Sequence, residues 1–153
     1  MSVRLIVSIL TINLSIPLFS QGLEFINIDS TNYTFDFFID KAKEEDKIIL
    51  LYLSGEGCTP CMRMQREIFV KDEVKETYSD YLLVNSHLIM RPYPMPHNLF
   101  KKVNKAHLKL RKKFKSEGAY PTFYLIDKNG RILKKANKMT TEEFIEFANT
   151  ETQ

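Results

Sequence analysis

Six consecutive apolar residues, Ile48-Ile49-Leu50-Leu51-Tyr52-Leu53, lead through Ser54-Gly55-Glu56-Gly57 straight into Cys58-Thr59-Pro60-Cys61 and a helix-like segment. An unbroken apolar run of this length, with β-branched and aromatic members, predicts a central strand buried on both faces. Gly55 and Gly57 allow a sharp bend out of that strand. Pro60 suits the first turn of a following helix, where its missing N–H would be unpaired in any case. The two cysteines therefore fall at the rim of a sheet, on a helix N-terminus whose unpaired N–H groups and dipole stabilise a thiolate. Lowering a thiol pKa from about 8.5 to about 7 takes only roughly 2 kcal/mol, within reach of such an environment. Cys58 and Cys61 thus read as an exchange dithiol with Cys58 as the nucleophile. The chemistry requires neither metal nor other cofactor.

These are the only two cysteines in the chain, and a bridge between residues three apart closes too small a loop to act as a staple. Stability has to come from a core, and 153 residues at 44% hydrophobic content suit one compact domain. Residues 1–20 read as a secretory signal peptide: Arg4 is the basic region, Leu5 to Leu14 the apolar stretch, and Pro17 with small residues around Ser20 and Gly22 the cleavage region. Cleavage after Ser20 places Leu18 at the minus-three position and cleavage after Gly22 places Ser20 there, so both sites stay open. An uncleaved anchor is the alternative, although Ser8, Thr11, Asn13 and Ser15 interrupt a run already short for a bilayer. The mature domain is expected over 21–153, in the periplasm or secreted.

Net charge is +3, and loss of the leader with its single Arg4 leaves +2, too little to imply nucleic acid. The positive charge is concentrated in Lys101, Lys102, Lys105, Lys109, Arg111, Lys112, Lys113 and Lys115, interleaved with Phe100, Val103, His107, Leu110 and Phe114 at helical spacing. This predicts an amphipathic helix over about 98–114 whose basic face is either simply solvated or a patch for an acidic partner or anionic membrane.

The remaining segments follow the same logic. Leu23 to Ile28 is expected as an opening strand, with Asp29, Ser30 and Thr31 starting a helix that turns Phe35, Phe38, Ile39 and Ala42 to one side and Lys41, Glu44 and Glu45 to the other. After the cysteines, Met62, Met64, Gln65, Ile68 and Phe69 form a candidate buried stripe, and Asp72 to Tyr78 a second helical piece. Tyr81 to Leu88 predicts a strand, ending in a proline-dense stretch, 91–96, that fits neither a helix nor a central strand. Thr122 to Ile126, then Asp127-Lys128-Asn129-Gly130, then Arg131 to Lys135, predict a hairpin, and Thr140, Thr141 and Glu143 open a last helix carrying Phe144, Ile145 and Phe147.

This order of elements, with Cys58-Thr59-Pro60-Cys61 at a helix start and Tyr120-Pro121-Thr122 before the hairpin, resembles the thioredoxin fold. The motif continued as 62–69 resembles exported thioredoxin-like proteins, among them the C-terminal domain of a bacterial transmembrane thiol:disulfide interchange protein. The resemblance covers nearly all of the chain after Gln21. It implies an α/β fold with a central mixed sheet flanked by helices, into which the proline-rich loop and basic helix are inserted. It also implies that Pro121 is cis beside the active disulfide and that the Tyr120 backbone binds an extended substrate segment. Two positions depart from the family pattern: Gly57 stands where thioredoxin has a tryptophan, and Tyr52 where it has a buried acid. Glu56 and Glu67 are candidate replacements for that acid, and Arg63 and Lys71 candidate thiolate-stabilising charges.

The expected activity is thiol:disulfide exchange with protein substrates that carry disulfides or dithiols. Thr59 and Pro60 between the cysteines resemble the reducing pairs of the family, so a reductase is expected, a monomer supplied by a membrane-bound or small-thiol electron donor. Two rivals stand beside it. One is a metal-binding or metallochaperone module in which Cys58, Cys61 and a histidine, first of all His87, hold copper or zinc. The other is a non-catalytic binding module working through the basic helix or the proline loop.

Overall fold

The computed structural model describes residues 22–29, 33–92, 94–116 and 118–149. The expected leader, residues 1–20, lies outside these residues, as do Ser30 and Thr31. Among the described residues, five strands form one mixed sheet: β1 (Ile26–Asn27), β2 (Ile49–Gly55), β3 (Leu82–Leu88), β4 (Thr122–Ile126) and β5 (Ile132–Ala136). Their order across the sheet is β1-β3-β2-β4-β5. Strand β2 runs parallel to β3 and antiparallel to β4, with Leu53 opposite Ser86 on one side and Thr122 on the other.

All seven residues of β2 are buried. That follows from its central place, because helices cover both faces and each face receives alternate side chains. Leu50 and Tyr52 point into a cluster with Cys61, Met64, Phe69, Phe123 and Phe144. Ile49, Leu51 and Leu53 point the other way, to Phe35, Phe38, Leu110 and Tyr124. At roughly 1.5–3 kcal/mol per fully buried large apolar side chain, this strand alone anchors much of the core.

Helices α1 (Phe35–Glu45), α2 (Thr59–Glu67), α3 (Asp72–Thr77), α4 (His97–Lys113) and α5 (Thr141–Ala148) complete the fold. Helix α1 buries Phe35, Phe38 and Ala42 as its spacing predicts. Its start is later than the residue types at 29–31 suggest, since Thr34 is the cap and accepts from the Phe37 N–H. Asp29 instead accepts from the Tyr33 N–H. The opening strand is also shorter than 23–28. Leu23 N–H donates to the Phe69 carbonyl, so the chain reaches the sheet only at Ile26.

The stripe expected on α2 is corrected as well. Met64, Ile68 and Phe69 are buried, whereas Met62 is 41% exposed and Gln65 lies on the outer face. A helix starting at Thr59 turns Cys61, Met64 and Ile68 inward at three- and four-residue spacing, which carries Met62 and Gln65 out. The hairpin forms with Gly130 at φ 83°, a value that favours glycine. It is a four-residue turn closed by Asp127, whose carboxylate accepts from the Asn129 and Arg131 N–H groups. Among the described residues, no helix is long and apolar enough to cross a membrane.

Candidate active site

Cys58 and Cys61 are joined in a disulfide, with their Cα atoms 5.2 Å apart. Cys58 is the N-cap of α2, and its sulfur accepts the Cys61 N–H at 3.1 Å. Cys58 is half-buried, while Cys61 is 3% exposed and belongs to the core. Of the two sulfurs, an incoming group meets that of Cys58, which lies where helix N–H groups favour negative charge. Gly57, at φ 75°, supplies the left-handed residue by which the chain passes from β2 to the helix, and a Cβ there would meet open space. Nothing bulky stands at the position held by tryptophan in thioredoxin.

The Tyr120–Pro121 peptide bond is cis. Pairing of Leu53 with Thr122 brings this bond to the end of β2 from which the cysteine turn leaves. Thr122 Oγ1 donates to the Ala119 carbonyl at 2.5 Å and holds the turn. No described residue makes a hydrogen bond to the Tyr120 backbone N–H or carbonyl.

A family model described as a thioredoxin-like domain matches residues 37–149, a span that includes both the dithiol and the cis proline. The chain belongs to this family. Comparison with curated proteins gives no match. Among solved structures, a proposed disulphide-isomerase from Bacteroides thetaiotaomicron superposes with TM-score 0.65 at 18% identity, over 88% of this chain and 98% of that one. The DsbH oxidoreductase superposes with TM-score 0.59 at 20% identity, over 80% and 78% of the two chains. The reduced C-terminal domain of DsbD from Neisseria meningitidis gives TM-score 0.57 at 16% identity, over 80% and 96%. At these identities the likeness is one of fold.

Within this thioredoxin-like domain the replacements considered for the missing acid are elsewhere engaged. Glu56 Oε2 accepts from the backbone N–H groups of Met90 (2.6 Å) and Arg91 (3.0 Å), and these bonds lower its pKa. It ties the active-site turn to the loop after β3. Glu67 pairs with Arg63 at 3.1 Å, and both side chains are 61% exposed, so neither is a buried charge. Lys71 caps no group with its side chain at the start of α3 and lies 4.0 Å from Glu73. Tyr52 is 1% exposed and its hydroxyl makes no hydrogen bond of good geometry with any described residue. Burial is the main cause that pushes its phenol up to about 12. Tyr52 therefore offers no base at neutral pH.

His87, the first candidate metal ligand, is held through Nδ1, 2.7 Å from Ser54 Oγ. Ser54 donates its proton to Asn85 Oδ1, and the Asn85 amide donates to Asn27. Among the described residues no group of three or more His, Cys, Asp or Glu could share a metal ion.

Sequence reasoning named Tyr120 but missed the polar group that its side chain joins on the far side of the sheet, with Ser86, His107 and Arg111, and Asn104 beside them. The signal was present in part. Asn104, His107 and Arg111 recur at helical spacing, but a helix crowded with lysines reads as an apolar face and a wet one.

Proposed function

We propose that this thioredoxin-like protein is a monomeric thiol:disulfide oxidoreductase that reduces protein disulfides outside the cytoplasm. The observation that carries the reading is the placing of a half-buried Cys58 on a helix N-terminus, with Cys61 buried behind it and a cis proline after Tyr120, whose backbone no described residue hydrogen-bonds. In the reduced protein the Cys58 thiolate attacks one sulfur of a client disulfide, forming a mixed disulfide and releasing the other client sulfur as a thiolate. Cys61 loses its proton to solvent or the departing client thiolate and attacks the Cys58 sulfur. The second client sulfur leaves, so two electrons pass from the Cys58–Cys61 pair to the client. A membrane-bound or small-thiol donor restores the dithiol. Tyr120 and Pro121 hold the client strand during the attack, and Thr59-Pro60 shapes the helix start between the sulfurs.

Export is supported by the leader pattern of residues 1–20 preceding the 21–153 domain, and the reducing direction by proline between the cysteines. Because about 30 mV changes a two-electron equilibrium tenfold, direction is read by measuring the reduction potential of the pair. A value near or below those of reducing thioredoxins is expected, and a strongly oxidising one overturns the direction. The exchange itself is tested by trapping. Cys61→Ser is expected to accumulate mixed disulfides with client proteins while Cys58→Ser accumulates none; identical behaviour of the two removes the assigned roles.

A further inference from the structure

Helix α4 turns a polar stripe inward. Asn104 grips both backbone groups of Ile89: its Oδ1 accepts from the Ile89 N–H at 3.0 Å and its Nδ2 donates to the Ile89 carbonyl at 2.7 Å. One turn further on, His107 is fully buried, with Nε2 2.5 Å from Tyr120 Oη and Nδ1 3.0 Å from Ser86 Oγ. Arg111 Nη1 donates to the same phenol at 3.3 Å, and its guanidinium lies 5.3 Å from the ring centroid. The ring also packs on Gly55, where a Cβ would stand 3.1 Å and 3.2 Å from two of its carbons.

Arginine only donates, so the phenol oxygen accepts from Arg111 and has one further acceptor position and its own proton for His107 Nε2. In either tautomer of the neutral imidazole both ring nitrogens are engaged, Nε2 by Tyr120 and Nδ1 by Ser86. Burial first, and then the Arg111 charge, push His107 down to about 4 and keep it neutral.

We propose that His107, backed by Ser86 and Arg111, is the positioning residue for client exchange: it fixes the Tyr120 side chain, and so the unpaired Tyr120 backbone edge, relative to Cys58. The inference rests on the oxidoreductase reading and deepens it. An extended client pairs with that edge through backbone hydrogen bonds, which lose strength within tenths of an ångström and tens of degrees. A small disulfide needs only the Cys58 sulfur. His107 takes no proton and no electrons in the exchange.

The test compares wild type with His107→Leu, His107→Gln, Tyr120→Phe and the His107→Leu/Tyr120→Phe double variant. The measurements are steady-state reduction of insulin with a thiol donor and the single-turnover rate with an aromatic small disulfide. His107→Leu is expected to raise KM for insulin about ten-fold, the scale of one lost hydrogen bond, with kcat changed less than about two-fold. Its small-disulfide rate should stay within about two-fold of wild type. Glutamine, which can accept from the phenol and donate towards Ser86, should recover most of the loss. The double variant should be no worse than the worse single one, because both remove the same bond.

A wild-type KM in folded His107→Leu overturns the proposal, as do equal losses on insulin and the small disulfide, or losses that multiply in the double variant. If His107→Leu does not fold, a wild-type KM in Tyr120→Phe overturns it equally. Wild-type protein that reduces no insulin overturns the oxidoreductase reading itself, and this inference with it.

Discussion

Two buried groups are expected to report on this protein at the scale of single residues. Tyr52 stacks on Phe123, ring centroids 4.9 Å apart at 7°, and meets Phe69 edge-on, yet among the described residues its hydroxyl has no well-formed hydrogen bond. Tyr52→Phe keeps the stacking and removes the unsatisfied group, so we expect stability unchanged or raised by about 1 kcal/mol in urea unfolding, with exchange activity retained. Loss of activity there would give the phenol a part in proton transfer. Burial first, and then the Arg111 charge, push His107 down to about 4 in the fold, against about 6.5 in an unfolded chain. The folded state thus favours the neutral form, its stabilisation is complete above pH 6.5, and it is lost as pH falls from 6.5 towards 4. The limiting slope is about 1.4 kcal/mol per pH unit for one proton. His87, lowered by burial, acts in the same sense. The carboxylates of Glu45, Asp46 and Glu56 are lowered by their partners and lose their contribution only at more acid pH. Thermal melting between pH 7 and 5 therefore isolates the histidines, and His107→Gln is expected to flatten that part of the profile.

Strand β2 and the loop at Tyr120 meet at Gly55, so the element scale brings a different test. Gly55→Ala places a methyl against a ring that His107 and Arg111 hold from the far side. The ring has to shift by a few tenths of an ångström, and we expect weaker protein-disulfide reduction, read as a raised KM for insulin. A wild-type KM would mean that the ring gives way without moving its backbone. Helix α5 depends on a capping box: Thr140 accepts from the Glu143 N–H, and the Glu143 carboxylate accepts from the Thr140 N–H at 2.7 Å. Thr140→Ala is expected to cost about 1 kcal/mol in chemical denaturation. Phe144 and Phe147 of this helix fill the cluster under Cys61, so the cost falls on the fold and not on the sulfur chemistry.

For the whole molecule, the sheet ends in two modest edges. Strand β1 has only two residues, and β5 carries Lys134 and Lys135, features that discourage further strand pairing. Both core clusters rest on β2, and the disulfide closes a loop of only a few residues. In the chain-entropy picture such a loop contributes at most about 2 kcal/mol. We expect cooperative urea unfolding in the reduced as well as the oxidised protein, with a difference no larger than that. A reduced protein that is unfolded would make the bridge a staple after all.

Local pattern carried much of this architecture. The apolar run at 48–53, the Cys58 helix start, Thr122–Ile126 and the Thr140 cap are legible because burial, turns and caps depend on residues within a turn or two of each other. The 29–31 start signal misled because Thr34 competes for the same role and lies nearer the first buried phenylalanine. The stripe through Met62 and Gln65 misled because a stripe's phase depends on where the helix begins. Only the tertiary structure decided which polar groups meet. Glu56 turns to the loop after β3, and His107 on a lysine-rich helix reaches the residue before the cis proline. Such bonds form within about 3 Å between segments far apart in sequence, and sheet register and helix placement, which no local periodicity records, bring them into range.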